Sequence, residues 1–226
     1  MKRERSLSFI RLPDLKTSTF EKLPEKRQIE ILDASAGVFA EKGYFQAGIA
    51  EICQAAGISN GALYKYFQNK QGIYIAVAQR TLALLQEQGR QLETENENIW
   101  DILRIAFEAV LPFTEKYRDY LVVYLDLGSP SMEEFALELS NEFERWSFDL
   151  FCSIAENAQL RGEIRKDISI GDISYFLDNH LLLFGFSCVS EHYARRFNQF
   201  LGKGMGQLSN EEKIEQVMAS VRQFLG

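Results

Sequence analysis

Histidine, cysteine and proline are scarce in this chain of 226 residues, with 2, 3 and 4 copies, and the first two shortages exclude several kinds of site. The cysteines, Cys53, Cys152 and Cys188, are widely spaced, odd in number and set in apolar helical patterns, which is typical of buried thiols. His180 and His192 lack further ligand residues at suitable spacing, so we expect no metal site. Because no nucleophile with a base, phosphate-binding loop or carboxylate pair stands out, we expect no catalytic residues, no cofactor and no enzyme activity.

Long hydrophobic runs are also missing. The longest, "LLLFGFSCV" at 181–189, is far shorter than the roughly 20 residues that span a bilayer, and the N-terminal region has no continuous apolar segment of a secretion signal. We therefore expect a cytoplasmic protein that does not enter a membrane. A composition of 46% hydrophobic and 25% charged residues is that of a globular chain with a substantial core.

Positive charge is concentrated in the first third of the chain. Residues 1–82 contain twelve Lys and Arg against eight Asp and Glu, a net charge of +4, whereas residues 83–226 contain thirteen against 24, a net charge of -11. The segment "AGISNGALYKYFQNK" at 56–70 has no acid at all. A locally positive face on an acidic protein suits a polyanionic partner, because the remaining surface repels phosphates.

Within this positively charged first third of the chain, the sequence predicts three helices separated by tight turns. Pro24 suits the first turn of a helix, and apolar residues follow at helical spacing until Gly43 ends it. A short helix is predicted over 49–56, where Gly57 breaks it, and Ser59 can cap the next helix. This order of helices and turns is a helix-turn-helix.

In the third of these helices the apolar residues share one face. Leu63 and Phe67 form an i, i+4 pair that faces inward, and the residues left to point outward are Asn60, Gly61, Tyr64 and Lys65. The N-terminal end of such a helix fits the major groove of DNA, and a carboxylate on this face would meet phosphate.

The remainder of the chain is helical by pattern. Helices are predicted over 71–93, 98–117, 118–127, 131–160, 169–197 and 209–224, with no strand, so the fold class is all-α. The segment 173–189 is apolar on nearly all faces and needs a partner. Aromatic residues in this part suit either a tight core or a pocket for an apolar ligand, and the candidate pocket residues are Trp100, Arg104, Phe107, Tyr124, Trp146, Phe176 and His180.

Residues 31–73, "ILDASAGVFAEKGYFQAGIAEICQAAGISNGALYKYFQNKQGI", resemble the N-terminal helix-turn-helix domain of TetR-family transcriptional regulators. The resemblance rests on the aromatic-x-x-x-Gly-Tyr segment, Ala-Gly-Ile-Ser at the turn and Gly-x-Leu-Tyr-x-x-Phe in the recognition helix. It implies a second helical domain that binds a ligand. It also implies that the protein is a homodimer, which contacts a palindromic operator on double-stranded DNA. The expected DNA-contacting residues are Gly48, Ser59, Asn60, Gly61, Ala62, Tyr64, Lys65, Tyr66 and Lys70.

The sequence departs from the family pattern just before the second helix. Ala47 and Gly48 stand where the family usually has Thr or Ser, and we expect free N–H groups at this helix start to bind phosphate instead. Residues 1–23 form a basic arm that either tracks a minor groove or is flexible, and we favour flexibility.

We expect three segments: the arm 1–23, a helix-turn-helix domain at 24–70, and a ligand-binding and dimerisation domain at 71–226. The function predicted is that of a repressor released from DNA by a small apolar ligand. An activator or partner-controlled regulator on the same fold stays open, as does a helical lipid carrier or enzyme. The sequence identifies neither the ligand nor the operator.

Overall fold

The computed structural model describes residues 17–92, 98–201 and 208–226, which are helical and contain no strand. Their helices are α1 (Ser18–Glu21), α2 (Glu25–Gln46), α3 (Ile49–Ala56), α4 (Asn60–Tyr66), α5 (Lys70–Arg90), α6 (Ile99–Lys116), α7 (Arg118–Leu127), α8 (Glu133–Arg161), α9 (Ile170–Val189), α10 (Glu191–Phe200) and α11 (Asn210–Leu225). The all-α prediction is confirmed. Within the described residues, no helix is long and apolar enough to cross a membrane.

Helices α2, α3 and α4 form the predicted helix-turn-helix. Gly43 adopts a positive φ of 71°, which interrupts α2 three residues before its end. Gly57 adopts the left-handed conformation that ends α3, and the Ser59 hydroxyl accepts a hydrogen bond from the Ala62 N–H at the start of α4. Leu63 and Phe67 are fully buried, as their spacing predicted.

The structure corrects the prediction of a flexible arm for residues 17–23. Residues 1–16 lie outside the described residues, but residues 17–23 begin with Thr17 as the cap of α1 and carry a buried Phe20. The Phe20 ring packs against those of Phe67 and Tyr66, at centroid distances of 4.7 and 6.0 Å. The Thr17 hydroxyl also donates to the Lys65 carbonyl at 2.5 Å. These contacts dock α1 on α4, so residues 17–23 pack as part of the helix-turn-helix unit.

Helix α5 begins beside α4 and runs into the second half of the molecule. Its residues 72–78 are all buried, because α2, α7 and α8 surround them. Helix α7 makes a second connection, since the Tyr120 hydroxyl donates to Asp33 of α2 at 2.6 Å. Helices α5 and α7 therefore both join the helix-turn-helix to the rest of the fold.

A second core lies among α6, α8, α9 and α11. Phe107 of α6 and Phe184 of α9 meet at its centre, with ring centroids 5.4 Å apart. The predicted helix over 169–197 is divided in two, because Ser190 has an extended backbone between α9 and α10. The break turns α10 back along α9 and brings Phe197 to within 5.9 Å of Phe184.

The docking of α1 can be tested by removing its buried ring. We expect Phe20→Ala to lower the free energy of unfolding by about 3–5 kcal/mol, because it deletes a fully buried aromatic side chain. Urea unfolding followed by circular dichroism measures this change. Ser18→Ala on the exposed face of the same helix is the matched control and should change stability little. Equal stability of the two variants would mean that α1 does not pack on α4.

Candidate nucleic-acid interface and interior cavity

The outer face of α4 carries polar and small residues, as the sequence predicted. Asn60, Gly61, Tyr64 and Lys65 are all exposed, and the Tyr64 side chain is 55% accessible. Ser59 is exposed as well, although its hydroxyl is engaged in capping the helix, and Ala62 is half-buried. This face therefore presents an amide, a phenol and an amine around a position without a side chain.

Gly61 has no structural reason to be glycine. Its backbone is helical, and a Cβ added there would meet only the Ser59 hydroxyl oxygen, at 3.9 Å. Glycine inside a helix costs roughly 1 kcal/mol relative to alanine. Since nothing within the chain requires this glycine, the space above it suits close approach by a partner molecule.

The backbone N–H of Gly48, just before α3, has a partner within the protein. The N–H of Gly48 donates to the Glu51 carboxylate at 3.0 Å, and Glu51 also forms an ion pair with Lys42. The hydrogen bond from Lys42 lowers the pKa of Glu51, which keeps this carboxylate charged. The protein thus uses the Gly48 N–H itself, and the binding of phosphate by the following N–H groups at the start of α3 stays a prediction.

Lys70 and Tyr66 also have partners inside the protein. The Lys70 ammonium donates to the carbonyls of Phe45 and Ala47, at 3.2 and 3.1 Å, and lies 4.7 Å from the centroid of the Tyr44 ring. A cation at the start of α5 is thus explained by carbonyls at the end of α2. Tyr66 is half-buried against Phe20, so part of its ring belongs to the core.

An interior cavity of about 130 Å³ lies among α5, α6, α7, α8 and α9. Its walls are mainly aliphatic and aromatic, and the lining side chains that carry an oxygen are Gln88, Tyr124, Ser147 and Asp178. The cavity touches both α5 and α7, the two helices that join it to the helix-turn-helix. A molecule bound here would therefore press on the elements that position α4.

Gly89 of α5 forms part of the cavity wall and has no room for a side chain. An added Cβ would overlap the ring of Trp146, with its Cη2 atom at 3.0 Å, and would lie 3.1 Å from Leu150. The indole of α8 therefore rests directly on the backbone of α5. Any shift of Trp146 on ligand binding is transmitted to α5 without an intervening side chain.

Asp178 of α9 brings a carboxylate into this apolar lining. The pKa of Asp178 is raised to about 6, first by burial and then by the nearby Glu144 carboxylate, while a hydrogen bond with Ser147 opposes the shift. Burial likewise raises the pKa of Tyr124, which keeps its phenol protonated. Asp178 was not among the candidate pocket residues of the sequence analysis, although an acid within the apolar segment of α9 is the signal that indicates it.

Of the seven predicted pocket residues, Tyr124 and Trp146 line the cavity and the other five do not. Phe107 is in the core, and Arg104 bridges α6 to α11 through Glu215 at 2.7 Å. Trp100 lies beneath the guanidinium of Arg222, 5.6 Å from it. The Phe176 ring stacks on Phe224 of α11 and lies tilted against His180, each at a centroid distance of 4.0 Å. Aromatic composition in the sequence did not distinguish residues of the core and the surface from residues of the cavity.

Comparison with known proteins identifies the relatives of this chain. The family described as "Bacterial regulatory proteins, tetR family" matches residues 31–77. The fatty acid metabolism regulator protein of Bacillus subtilis is 32% identical over 148 residues, which cover 64% of this chain and 74% of that protein. This chain belongs to the TetR family.

Two further proteins extend the comparison. The transcriptional activator FasR of Mycolicibacterium smegmatis is 29% identical over 156 residues, which cover 69% of this chain and 71% of FasR. The crystal structure of FadR from Bacillus subtilis with stearoyl-CoA superposes with a TM-score of 0.65 at 16% identity, over 88% of this chain and 97% of FadR. As a TetR-family member, the chain is a DNA-binding transcriptional regulator.

Gly61 provides a test of close approach between α4 and DNA. We expect Gly61→Ala to raise folding stability by up to about 1 kcal/mol, because alanine favours the helix, and to weaken DNA binding by about 1–3 kcal/mol, because the added methyl holds α4 away. Chemical denaturation and fluorescence anisotropy with labelled operator DNA measure the two effects.

Gly171 is a matched control for this prediction. It stands two residues after the capping Ser169 of α9, as Gly61 stands after Ser59, and its added Cβ would also meet only the capping oxygen, at 4.0 Å. Gly171→Ala should stabilise the fold by a similar amount and leave DNA affinity unchanged. Equal DNA affinity of both variants would contradict close approach at Gly61.

Asp178 provides a test of the buried carboxylate through pH. Because its folded pKa of about 6 lies above the ordinary 3.8, the folded state binds the proton more tightly, and the stability cost is absent below about pH 4 and complete above about pH 7. We expect Asp178→Asn to stabilise the protein by about 1–2 kcal/mol at pH 8 and by nothing at pH 4. Urea unfolding across this range, with the exposed Asp149→Asn as control, measures it. A pH-independent difference would place Asp178 in water.

Proposed function

We propose that this regulator is a homodimeric repressor that binds a palindromic operator through α4 and leaves DNA when a small ligand enters the cavity. The observation that carries the proposal is the cavity itself, whose walls include α5 and α7, the same helices that hold the helix-turn-helix. The proposed DNA-binding unit comprises residues 17–70, and the ligand-binding and dimerisation unit comprises residues 71–226.

The proposed DNA contacts fall into two groups. Asn60 and Lys65 are the exposed hydrogen-bonding side chains that suit base edges, whereas the Tyr64 phenol suits a phosphate oxygen. Tyr66 and Lys70 are proposed as lesser contacts, because their principal partners lie within the protein. Gly61 and Ala62 contribute by their small size.

The outer sides of α9 and α11 support the proposed homodimer. Tyr175 is 74% exposed on α9, where Leu183 is also exposed, and Phe224 of α11 stacks on Phe176 beside them. Apolar side chains at these positions suit burial against a second copy. A two-fold axis through this face would place two α4 helices on one side of the dimer, as two half-sites about 34 Å apart require.

Two contacts suit the transmission of ligand binding to α4. Helix α7 faces the cavity with Tyr124 and, one turn earlier, bonds α2 through Tyr120 and Asp33. Helix α5 faces the cavity with Gly89 and begins at Lys70, which bonds the end of α2. A displacement of either helix changes the orientation of the helix-turn-helix and hence the spacing of the two recognition helices.

An activator on the same fold is the second candidate, because the relative FasR is a transcriptional activator. The two candidates differ in how the DNA-bound protein changes transcription. Reporter transcription that rises when the regulator is removed supports the repressor, whereas transcription that falls supports the activator.

Selection of binding sites from random double-stranded DNA tests the proposed DNA recognition. We expect an enriched motif with two-fold symmetry, bound by a dimer in multi-angle light scattering. Asn60→Ala and Lys65→Ala should each relax the preference at one position per half-site, at a cost of about 1–3 kcal/mol on the best site.

Lys166→Ala is a matched control, since this lysine is exposed after α8, outside the proposed DNA-binding unit. It should leave both the motif and the affinity unchanged. Enrichment of no motif, or a motif that survives both α4 variants, would contradict base reading by this helix.

A further inference from the structure

We propose that the cavity binds a small lipophilic cation, such as a protonated amine on an aromatic or branched apolar body, with Asp178 as its counter-ion. This inference rests on the proposed function, because it names the chemical class of the ligand that the cavity takes. It is carried by the position of one half-buried carboxylate in an aromatic and aliphatic lining.

The first support is the negative charge around Asp178. Its carboxylate lies in the cavity lining, and the groups that act on it among the described side chains include the Ser147 hydroxyl, the Tyr124 phenol and the Glu144 carboxylate. A second acid intensifies the negative potential instead of neutralising it. Because a buried carboxylate is costly without a counter-charge, a bound cation recovers free energy here that a neutral ligand does not.

The second support is the aromatic lining beside this carboxylate. Trp146, Tyr124 and Phe186 all line the cavity, and the rings of Tyr124 and Phe186 lie 6.0 Å apart. Aromatic faces attract a desolvated ammonium group through their quadrupoles, and tryptophan does so best. A carboxylate with several aromatic rings around one space is the combination that recognises organic cations.

The third support is the volume of the cavity. At about 130 Å³ it is close to the roughly 150 Å³ of a protein cavity that accepts benzene. The superposed FadR was solved with stearoyl-CoA, a ligand with a long acyl chain and negatively charged phosphates. That negative charge does not suit a site beside the Asp178 carboxylate.

Three ligands of similar size and different charge test the inference. Isothermal titration of the full chain at pH 7.5 compares benzylamine, benzyl alcohol and benzoate. We expect benzylamine to bind about 10- to 150-fold more tightly than benzyl alcohol, which is the range for a hydrogen bond to a charged partner, and benzoate to bind most weakly. Equal binding of benzylamine and benzyl alcohol, no binding of benzylamine, or tightest binding of benzoate would overturn the proposal.

Variants then assign the preference to one carboxylate. Asp178→Asn should remove most of the preference for benzylamine and change the affinity for benzyl alcohol little. Asp149→Asn, an exposed acid on α8 outside the cavity lining, is the control and should leave the preference intact. An unchanged preference in Asp178→Asn would overturn the assignment, and the comparison of ligands on the unaltered chain does not depend on this variant.

Two further measurements separate this inference from the proposed function. If stearoyl-CoA displaces a bound amine or binds more tightly than benzylamine, the cavity is an acyl-thioester site and the cation proposal is wrong. DNA-site selection with the same preparation reports on the regulator itself. Sequence-specific DNA binding without benzylamine binding overturns the ligand class alone, whereas absence of DNA binding overturns the proposed function.

Discussion

The burial of Tyr74 is the constraint on which the other contacts depend. This phenol is fully buried near the start of α5, with its ring 5.1 Å from those of Phe39 and Tyr44 and 5.5 Å from that of Phe135. Its hydroxyl donates to the Val123 carbonyl at 3.3 Å and to Asp126 at 3.4 Å. One side chain thus contacts α2, α7 and α8 from α5, so the position of the helix-turn-helix is coupled to that of the half that contains the cavity.

The features predicted correctly from the sequence are those that neighbouring residues determine. Gly57 ends α3 because its own backbone is left-handed, and Ser59 caps α4 because its hydroxyl meets an N–H three residues later. The inward pair Leu63 and Phe67 follows from helical spacing alone. Such local signals also gave the all-helical class and the outward face of α4.

The features that were missed depend on residues far apart in the sequence. Phe20 joins the core through a ring 47 positions later, and Lys70 bonds carbonyls more than twenty positions earlier. The cavity draws its walls from five helices, so aromatic composition alone could not separate Tyr124 from Phe107. The break at Ser190 likewise follows from the packing of Phe197 on Phe184 and not from a helix-breaking residue.

The hydrogen bonds of Lys70 have a consequence for the thermodynamics of recognition. Its ammonium joins the first turn of α5 to the segment that leads from α2 into α3, and it does so before any DNA is present. The conformational entropy of this connection is therefore lost during folding and is not lost again when the protein binds DNA. The two halves of the helix-turn-helix are therefore aligned before binding, and the free energy of the proposed α4 contacts is available for discriminating among DNA sequences.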